Sequence, residues 1–260
     1  MTASVKTHIE GGVLTITLNR PKANAINVAT SRALYAAFAM LEQDPTLRVA
    51  ILTGTGRFFS AGWDLNAATQ GEAIDANHGP GGFGGITEYF SRNKPVIAAV
   101  NGLAMGGGFE IALACDLIVA CESAEFSLPE VKLGMIADSG GVLRLPHRLP
   151  AAIACEMLLT GRRMGAAEAL RWGLVNQVAT ADQLLECAQE LARQIVQAAP
   201  LAIAAVKEVM RESQGQSLMQ SYRLLRSGTL SQYQAMLGSQ DAREGPVAFG
   251  EKRPPRWLGR

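Results

Sequence analysis

Residues 99–116 read AVNGLAMGGGFEIALACD, and this stretch decides how the chain is organised. It follows PVIAAV, a buried-strand run, and it ends in EIALACD, a short helix in which Leu113 lies three residues after Glu110. Between them stand Gly106, Gly107 and Gly108, each costing a helix about 1 kcal/mol relative to alanine. The glycines therefore occupy a turn from strand to helix N-terminus. Backbone N–H groups at such a place lack intrahelical acceptors and lie at the positive end of the helix dipole, so they favour an anion. Three readings of the run are open: a phosphate cradle, an oxyanion hole, and a tight turn that only needs glycine. No G-x-x-x-x-G-K-[ST] occurs and no G-x-G-x-x-G follows the strand, which weighs against phosphate.

A second stretch repeats the pattern. GRFFSAGWDL, residues 56–65, follows the strand-like VAILTG and again combines small residues with glycine. The pair Ala61-Gly62 exposes a second backbone N–H, and two loops aiming N–H groups at one point suit an enolate-like oxygen on a thioester.

Outward from these loops the chain alternates strands and helices. THIEGGVLTITLNRP reads as a hairpin around Glu10-Gly11-Gly12, and residues 28–42 carry Leu34, Phe38 and Leu41 at helical spacing. RVAILTG, KPVIAAVNG, DLIVAC and EFSL read as further strands. Beyond about residue 150 the pattern turns helical, with Gly161 and Gly173 at C-terminal cap positions. Thr180 and Gln183 fit a capping box for a helix from about Ala181 through Leu184, Ala188, Leu191 and Ile195, and Pro200 opens another. From Gln214 the tail is polar and ends rich in Pro and Gly. The expected division is a strand-rich core over residues 1–195 and a helical portion over 196–260.

Composition removes other classes. The 260 residues hold 24 Lys plus Arg against 23 Asp plus Glu, with no basic stripe, so neither nucleic acid nor a membrane surface is an expected partner. No apolar run approaches a membrane span, and MTASVKTHIEGG lacks a signal pattern, so a cytoplasmic protein is expected. Cys115, Cys121, Cys155 and Cys187 have no zinc-ligand spacing, and His8, His78 and His147 are scattered, so no metal is expected. In ADSGG, Asp138 or Ser139 reads as a helix cap rather than a nucleophile; GPGGFGG, residues 79–85, reads as a mobile segment over a pocket. The paired arginines of TGRRMG read as a solvated face or a subunit contact.

FFSAGWDL and AVNGLAMGGGFEIALACD resemble the two signature segments of the crotonase (enoyl-CoA hydratase/isomerase) superfamily. The resemblance runs nearly end to end, through LNRPKANAIN, FSLPEVKLGMIADSGGVLRLP, TGRRMGAAEALRWGLVN and EGPVAFGEKRPP. It implies an α/β fold, a spiral of ββα turns with a helical C-terminal trimerisation region, assembling as a homotrimer or a hexamer built as a dimer of trimers. It implies an oxyanion hole from the N–H groups of Ala61 and Gly107, and two catalytic glutamates, Glu110 and Glu130. Coenzyme A, present as part of an acyl-CoA thioester substrate with no further cofactor, is implied along Ala61, Gly62, Trp63, Asp64 and Leu65 and at Gly107. Phe249 and Lys252 are implied to close over CoA from a neighbouring subunit. FFSAGWDL, GPGGFGGITEYF, DSGGVLRLP and TGRRMGAAEALRWG resemble most the branch that dehydrates carnitinyl-CoA to crotonobetainyl-CoA. A generic short-chain enoyl-CoA hydratase is the nearest alternative, and an RNA-binding homologue is disfavoured by charge. One departure from the pattern is Ala137, where the family commonly has proline before the aspartate of DSGG.

The residue chemistry points the same way. Removing water beside a thioester needs a base for the α-proton and an acid for the leaving hydroxyl. Two carboxylates held at different protonation states supply both. Either glutamate alone reads as a surface carboxylate; paired with two glycine-rich anion sites, each reads as part of a site. Trp63, Phe83, Tyr89 and Phe90 are candidate hosts for a trimethylammonium group, with core packing the alternative for each.

Overall fold

A two-residue turn starts the fold: Gly11 and Gly12 both hold positive φ, 55° and 82°, and join strand β1 (Val5–Glu10) to its antiparallel neighbour β2 (Val13–Leu18). The computed structural model describes residues 3–20 and 22–260; Met1 and Thr2 of the N-terminal stretch and Pro21 of LNRPKANAIN lie outside them. Leu14, Ile16 and Leu18 alternate inward and are fully buried. Helix α1 (Val28–Gln43) follows, capped by Asn27, whose side chain accepts the Thr30 N–H at 2.9 Å. Its Leu34, Phe38 and Leu41 face the core.

The chain then winds through two sheets. β3 (Val49–Gly54) enters the large sheet and β4 (Phe58–Ser60) the small one, followed by the short helix α2 (Leu65–Thr69). β5 (Val96–Val100) and β6 (Leu103–Met105) repeat the step and lead into α3 (Gly107–Ala114); β7 (Leu117–Cys121) and β8 (Glu125–Ser127) repeat it again. Next come α4 (Gly141–Arg148), α5 (Ala151–Thr160), β9 (Met164–Gly165), α6 (Ala166–Arg171), β10 (Gln177–Ala179) and α7 (Leu184–Val196). The large sheet has the order β1-β2-β3-β5-β7-β10, parallel after the first pair; the small sheet runs β4-β6-β8-β9. The continuous apolar runs of β3, β5 and β7 are those of strands buried on both faces.

The C-terminal part is helical: α8 (Pro200–Glu212), α9 (Leu218–Arg226), α10 (Ser231–Gly238) and α11 (Asp241–Gly250). A partly buried ion cluster ties it to the strands. Asp116, just before β7, accepts from Arg92 at 2.6 Å and pairs with Lys207 of α8. Although burial opposes its charge, the two cations hold the Asp116 carboxyl at about 2.

Three expectations need correction. The capping box lies in the helical C-terminal part instead: Ser217 and Gln220 exchange side-chain and backbone bonds at the start of α9. At α7 the Thr180 hydroxyl instead donates to the Gln183 side chain at 3.0 Å, and the helix begins only at Leu184. α4 is preceded by Gly140 with no side-chain cap, so neither Asp138 nor Ser139 caps it. GPGGFGG is no loose cover: Gly81 through Ile86 are buried, and a Cβ on Gly85 would stand 2.3 Å from the Tyr35 nitrogen of α1. The arginines of TGRRMG stand on a partly solvated face, where Arg162 pairs with Glu156 and Glu168 and Arg163 with Glu125.

Candidate active site

The three glycines are required by three different neighbours. A Cβ on Gly106 would lie 2.8 Å from Glu130 Oε1, one on Gly107 2.4 Å from the Phe83 ring, and one on Gly108 2.2 Å from the Ser60 carbonyl oxygen. Gly106 also holds φ at 52°. The loop after β4 and the start of α3 thus meet backbone to backbone; a Cβ on Gly62 would stand 2.7 Å from the Gly107 nitrogen.

That approach brings two amides together. Gly107 opens α3, so its N–H has no helical acceptor. In the other loop, Ala61 donates its N–H to the Ala23 carbonyl at 2.9 Å. Ala61 is therefore not the free donor expected from the sequence. Its neighbour but one is free. The bridge between Ile26 and Trp63 uses the amide and carbonyl of Ile26, bonded to Gly62 O at 2.8 Å and Asp64 N at 2.9 Å. Trp63 spends neither of its own backbone groups in that bridge, and its N–H has no acceptor among the described residues. A bridge of one residue leaves no periodicity in the sequence to reveal this.

Glu110, in the first turn of α3, is buried, and its Oε1 accepts the Gly141 N–H of α4 at 2.8 Å. Burial pushes its carboxyl up to about 8; the Glu130 and Asp138 charges add to this, while the Gly141 bond and Arg144 oppose it. Glu130 starts a single 3₁₀ turn, Glu130–Leu133. Burial raises its carboxyl too, its own amide opposes, and Asp138 again adds. Its Oε2 is buried without a hydrogen-bond partner.

Both glutamates line one cleft of about 720 Å³, together with Ala61, Trp63, Leu65 and Gly107. Gly62 and Asp64 do not line it. Asp64 is committed to structure: it pairs with Arg20 at 2.7 Å and caps α2 through the Asn66 N–H. Phe249 and Lys252 lie outside the cleft as well, and the Phe249 side chain is 88% exposed on α11. Of the four aromatic candidates, Trp63 and Phe83 line the cleft; Tyr89 packs on Tyr35 with ring centroids 5.2 Å apart, and Phe90 is exposed. Ala137 is buried beneath Gly141, whereas its neighbours Ile136 and Asp138 face the cleft.

The sequence reading missed several residues here. Glu72 accepts the Trp63 indole N–H at 3.0 Å and so fixes the ring. His78 meets Ser31 Oγ at 2.9 Å and the edge of Phe83 at 5.0 Å. Asp75, Glu88 and Asp138 join the two glutamates, and among the described residues no Lys or Arg lines the cleft. No local motif marks these groups, because they come from separate loops. Among the described residues no cluster of His, Cys, Asp and Glu has the arrangement of a metal site, and no helix is long and apolar enough to cross a membrane.

Comparison with known proteins identifies the family. Residues 8–260 match the family model described as enoyl-CoA hydratase/isomerase. Carnitinyl-CoA dehydratases of Salmonella arizonae and Salmonella typhi are each 59% identical over the full length of both chains. An enoyl-CoA hydratase of Mycobacterium tuberculosis superposes with a TM-score of 0.90 at 44% identity, covering 99% of each chain. A carnitinyl-CoA hydratase of Mycobacterium avium does so at 0.78 and 42% identity, covering 100% of each. The α/β spiral read from the sequence is the fold of these structures. With its family model matched from residue 8 to the C-terminal residue and relatives aligned end to end, the chain belongs to the enoyl-CoA hydratase/isomerase family.

Proposed function

We propose that this chain is an acyl-CoA hydro-lyase interconverting carnitinyl-CoA and crotonobetainyl-CoA. The observation that carries the chemistry is the pair of carboxylates, buried Glu110 and half-buried Glu130, that line one cleft with two free amides. In the dehydration direction Glu110, held protonated by its raised pKa, gives its proton to the leaving β-hydroxyl. Glu130 takes the α-proton on Oε2, the oxygen with no other partner. The C–O bond breaks, the α,β double bond forms and water departs; hydration reverses each transfer. The N–H groups of Gly107 and Trp63 receive the thioester oxygen as it becomes enolate-like, where each donor is worth about 3 kcal/mol. Trp63 thus replaces Ala61 in the role first assigned to it.

Support for the acyl group comes from the cleft's charge. A trimethylammonium donates no hydrogen bond and is attracted by carboxylates and aromatic faces, and both line this cleft without a competing Lys or Arg. The full-length identity with carnitinyl-CoA dehydratases supports the same substrate. CoA lies along Ala61–Leu65 in this reading, with Gly62 and Asp64 shaping the loop. Phe249 and Lys252 reach CoA from a neighbouring subunit of a homotrimer or hexamer, and the exposed Leu218, Met219 and Tyr222 of α9 supply apolar surface for such contacts. The protein acts in the cytoplasm without another cofactor.

The deciding experiment measures kcat/KM for water addition to crotonobetainyl-CoA and crotonyl-CoA. Preference for the first supports the proposal; equal or better use of crotonyl-CoA leaves a generic short-chain hydratase in its place.

A further inference from the structure

We propose that Glu88 is the counter-ion that selects a cationic acyl group, acting from the same wall of the cleft as Phe83. The inference rests on the carnitinyl-CoA reading and names the residue that enforces it. In that substrate the ammonium nitrogen lies two bonds beyond the β-carbon, roughly 2.5 Å away. A charge selecting for it must therefore stand close to the reacting carbons without being one of the proton-transfer groups.

Glu88 meets that requirement through a short chain of contacts. The Phe83 ring lies against Gly107, one of the two amides proposed to hold the thioester oxygen. Gly82 precedes Phe83, and a Cβ there would stand 2.8 Å from Glu88 Oε1, so the carboxylate folds back over Gly82, the residue next to Phe83. The loop is closed by the Glu88 N–H on the Gly81 carbonyl at 2.9 Å and by the Thr87 hydroxyl on the Phe83 carbonyl at 3.0 Å. Aromatic face and carboxylate are thereby held on one compact unit.

The other carboxylates of the cleft are placed for other tasks. Glu110 and Glu130 carry the protons. Asp138 acts on both of them through its charge. Asp75, exposed as Glu88 is, lies on the stretch after α2, outside the loop that carries Phe83. The Glu88 side chain, by contrast, makes no hydrogen bond and no ion pair within 4.0 Å among the described residues. Arg144 feels its charge but is tied to the carbonyl oxygens of Thr87 and Ser139 rather than to the carboxylate, and His78, which also feels it, is bonded to Ser31. A quaternary ammonium asks for nearby negative charge and a π face, with no directed hydrogen bond.

The test compares crotonobetainyl-CoA with its neutral isostere, in which a quaternary carbon replaces the nitrogen, so that shape is constant and charge alone differs. In the unmodified enzyme kcat/KM favours the cation. In Glu88→Gln that ratio falls about tenfold, chiefly through KM, and in Glu88→Asp it falls less. Glu88→Lys reverses it in favour of the isostere. Raised ionic strength weakens the preference in the unmodified enzyme more than in Glu88→Gln. Circular dichroism and melting temperature confirm that each variant is folded. A folded Glu88→Gln or Glu88→Lys that keeps the full ratio overturns the assignment of Glu88 while the substrate reading stands. An unmodified enzyme that prefers neither crotonobetainyl-CoA to its isostere nor to crotonyl-CoA overturns the substrate reading itself.

Discussion

The Gly141 amide at the N-terminus of α4 donates to the Glu110 carboxylate in the first turn of α3 at 2.8 Å. Two helix N-termini thus converge on one carboxyl, and both favour its ionised form. Burial outweighs them, and the group stays near 8. Glu110 is consequently an acid at neutral pH that is already oriented to act as a base once ionised.

Activity should follow from that poise. In dehydration, where Glu110 must be protonated and Glu130 ionised, kcat/KM should fall on the alkaline side near pH 8. Glu110→Gln and Glu130→Gln should each lose about a hundredfold or more, and the double variant less than the product of the two losses. Asp138→Asn removes a charge that raises both groups, so both limbs of the profile should move to lower pH. Rates measured from pH 5 to 10 decide this; an unmoved profile in Asp138→Asn would remove Asp138 from the electrostatics of the pair.

The same poise costs stability. The folded-state pKa of Glu110 lies above its unfolded value of 4.5, so folding is unpenalised below that pH and loses stability as pH rises through 8. At about 1.4 kcal/mol per pKa unit the full cost is on the order of 5 kcal/mol. Glu110→Gln keeps an acceptor for the Gly141 N–H and should therefore be more stable than the unmodified protein at pH 9, by about 2 kcal/mol or more, and little different at pH 5. Urea melts at the two pH values measure it. Equal stabilities at pH 9 would falsify the raised pKa.

The backbone donors can be separated atom by atom. Replacing the Trp63 residue by its α-hydroxy acid turns one amide into an ester and deletes only the N–H. Turnover should fall about a hundredfold or more with thioester binding much less affected. The same exchange at Ala61 removes the bond to Ala23 and should lower the melting temperature with little loss of kcat. The opposite pattern would restore Ala61 as the donor.

How far the sequence disclosed this site depended on how local each feature is. Long apolar runs marked β3, β5 and β7, and Gly106–Gly108 marked the strand-to-helix turn. Of the small sheet only EFSL, which is β8, was legible; strands of two or three residues such as β9 and β6 carry no period. Glu110 and Glu130 stood out beside glycine-rich loops that resemble a known family. Which amide was free in FFSAGWDL depended on a bridge to Ile26, more than 30 residues earlier in the sequence. Glu72, Glu88 and Asp138 likewise acquire meaning only from the fold that gathers them. GPGGFGG misled because glycine suits both a loose loop and one pressed against Tyr35 and Ile111, and composition does not distinguish them.

Phe83 provides the last test. Its ring is nearly fully buried, edge-on to His78 and against Gly107, so it shapes the cleft whether or not it meets a cation. Phe83→Leu removes the π face while keeping apolar bulk. A cation over an aromatic face is worth about 0.5 to 2 kcal/mol, so the preference for crotonobetainyl-CoA over its neutral isostere should drop by roughly two- to thirtyfold. Loss of packing alone would slow both substrates together and leave their ratio intact, since the two acyl groups have the same shape. The ratio therefore isolates the electrostatic part. A ratio unchanged in a folded Phe83→Leu protein would assign the ring to packing and leave Trp63, fixed by Glu72, as the aromatic host.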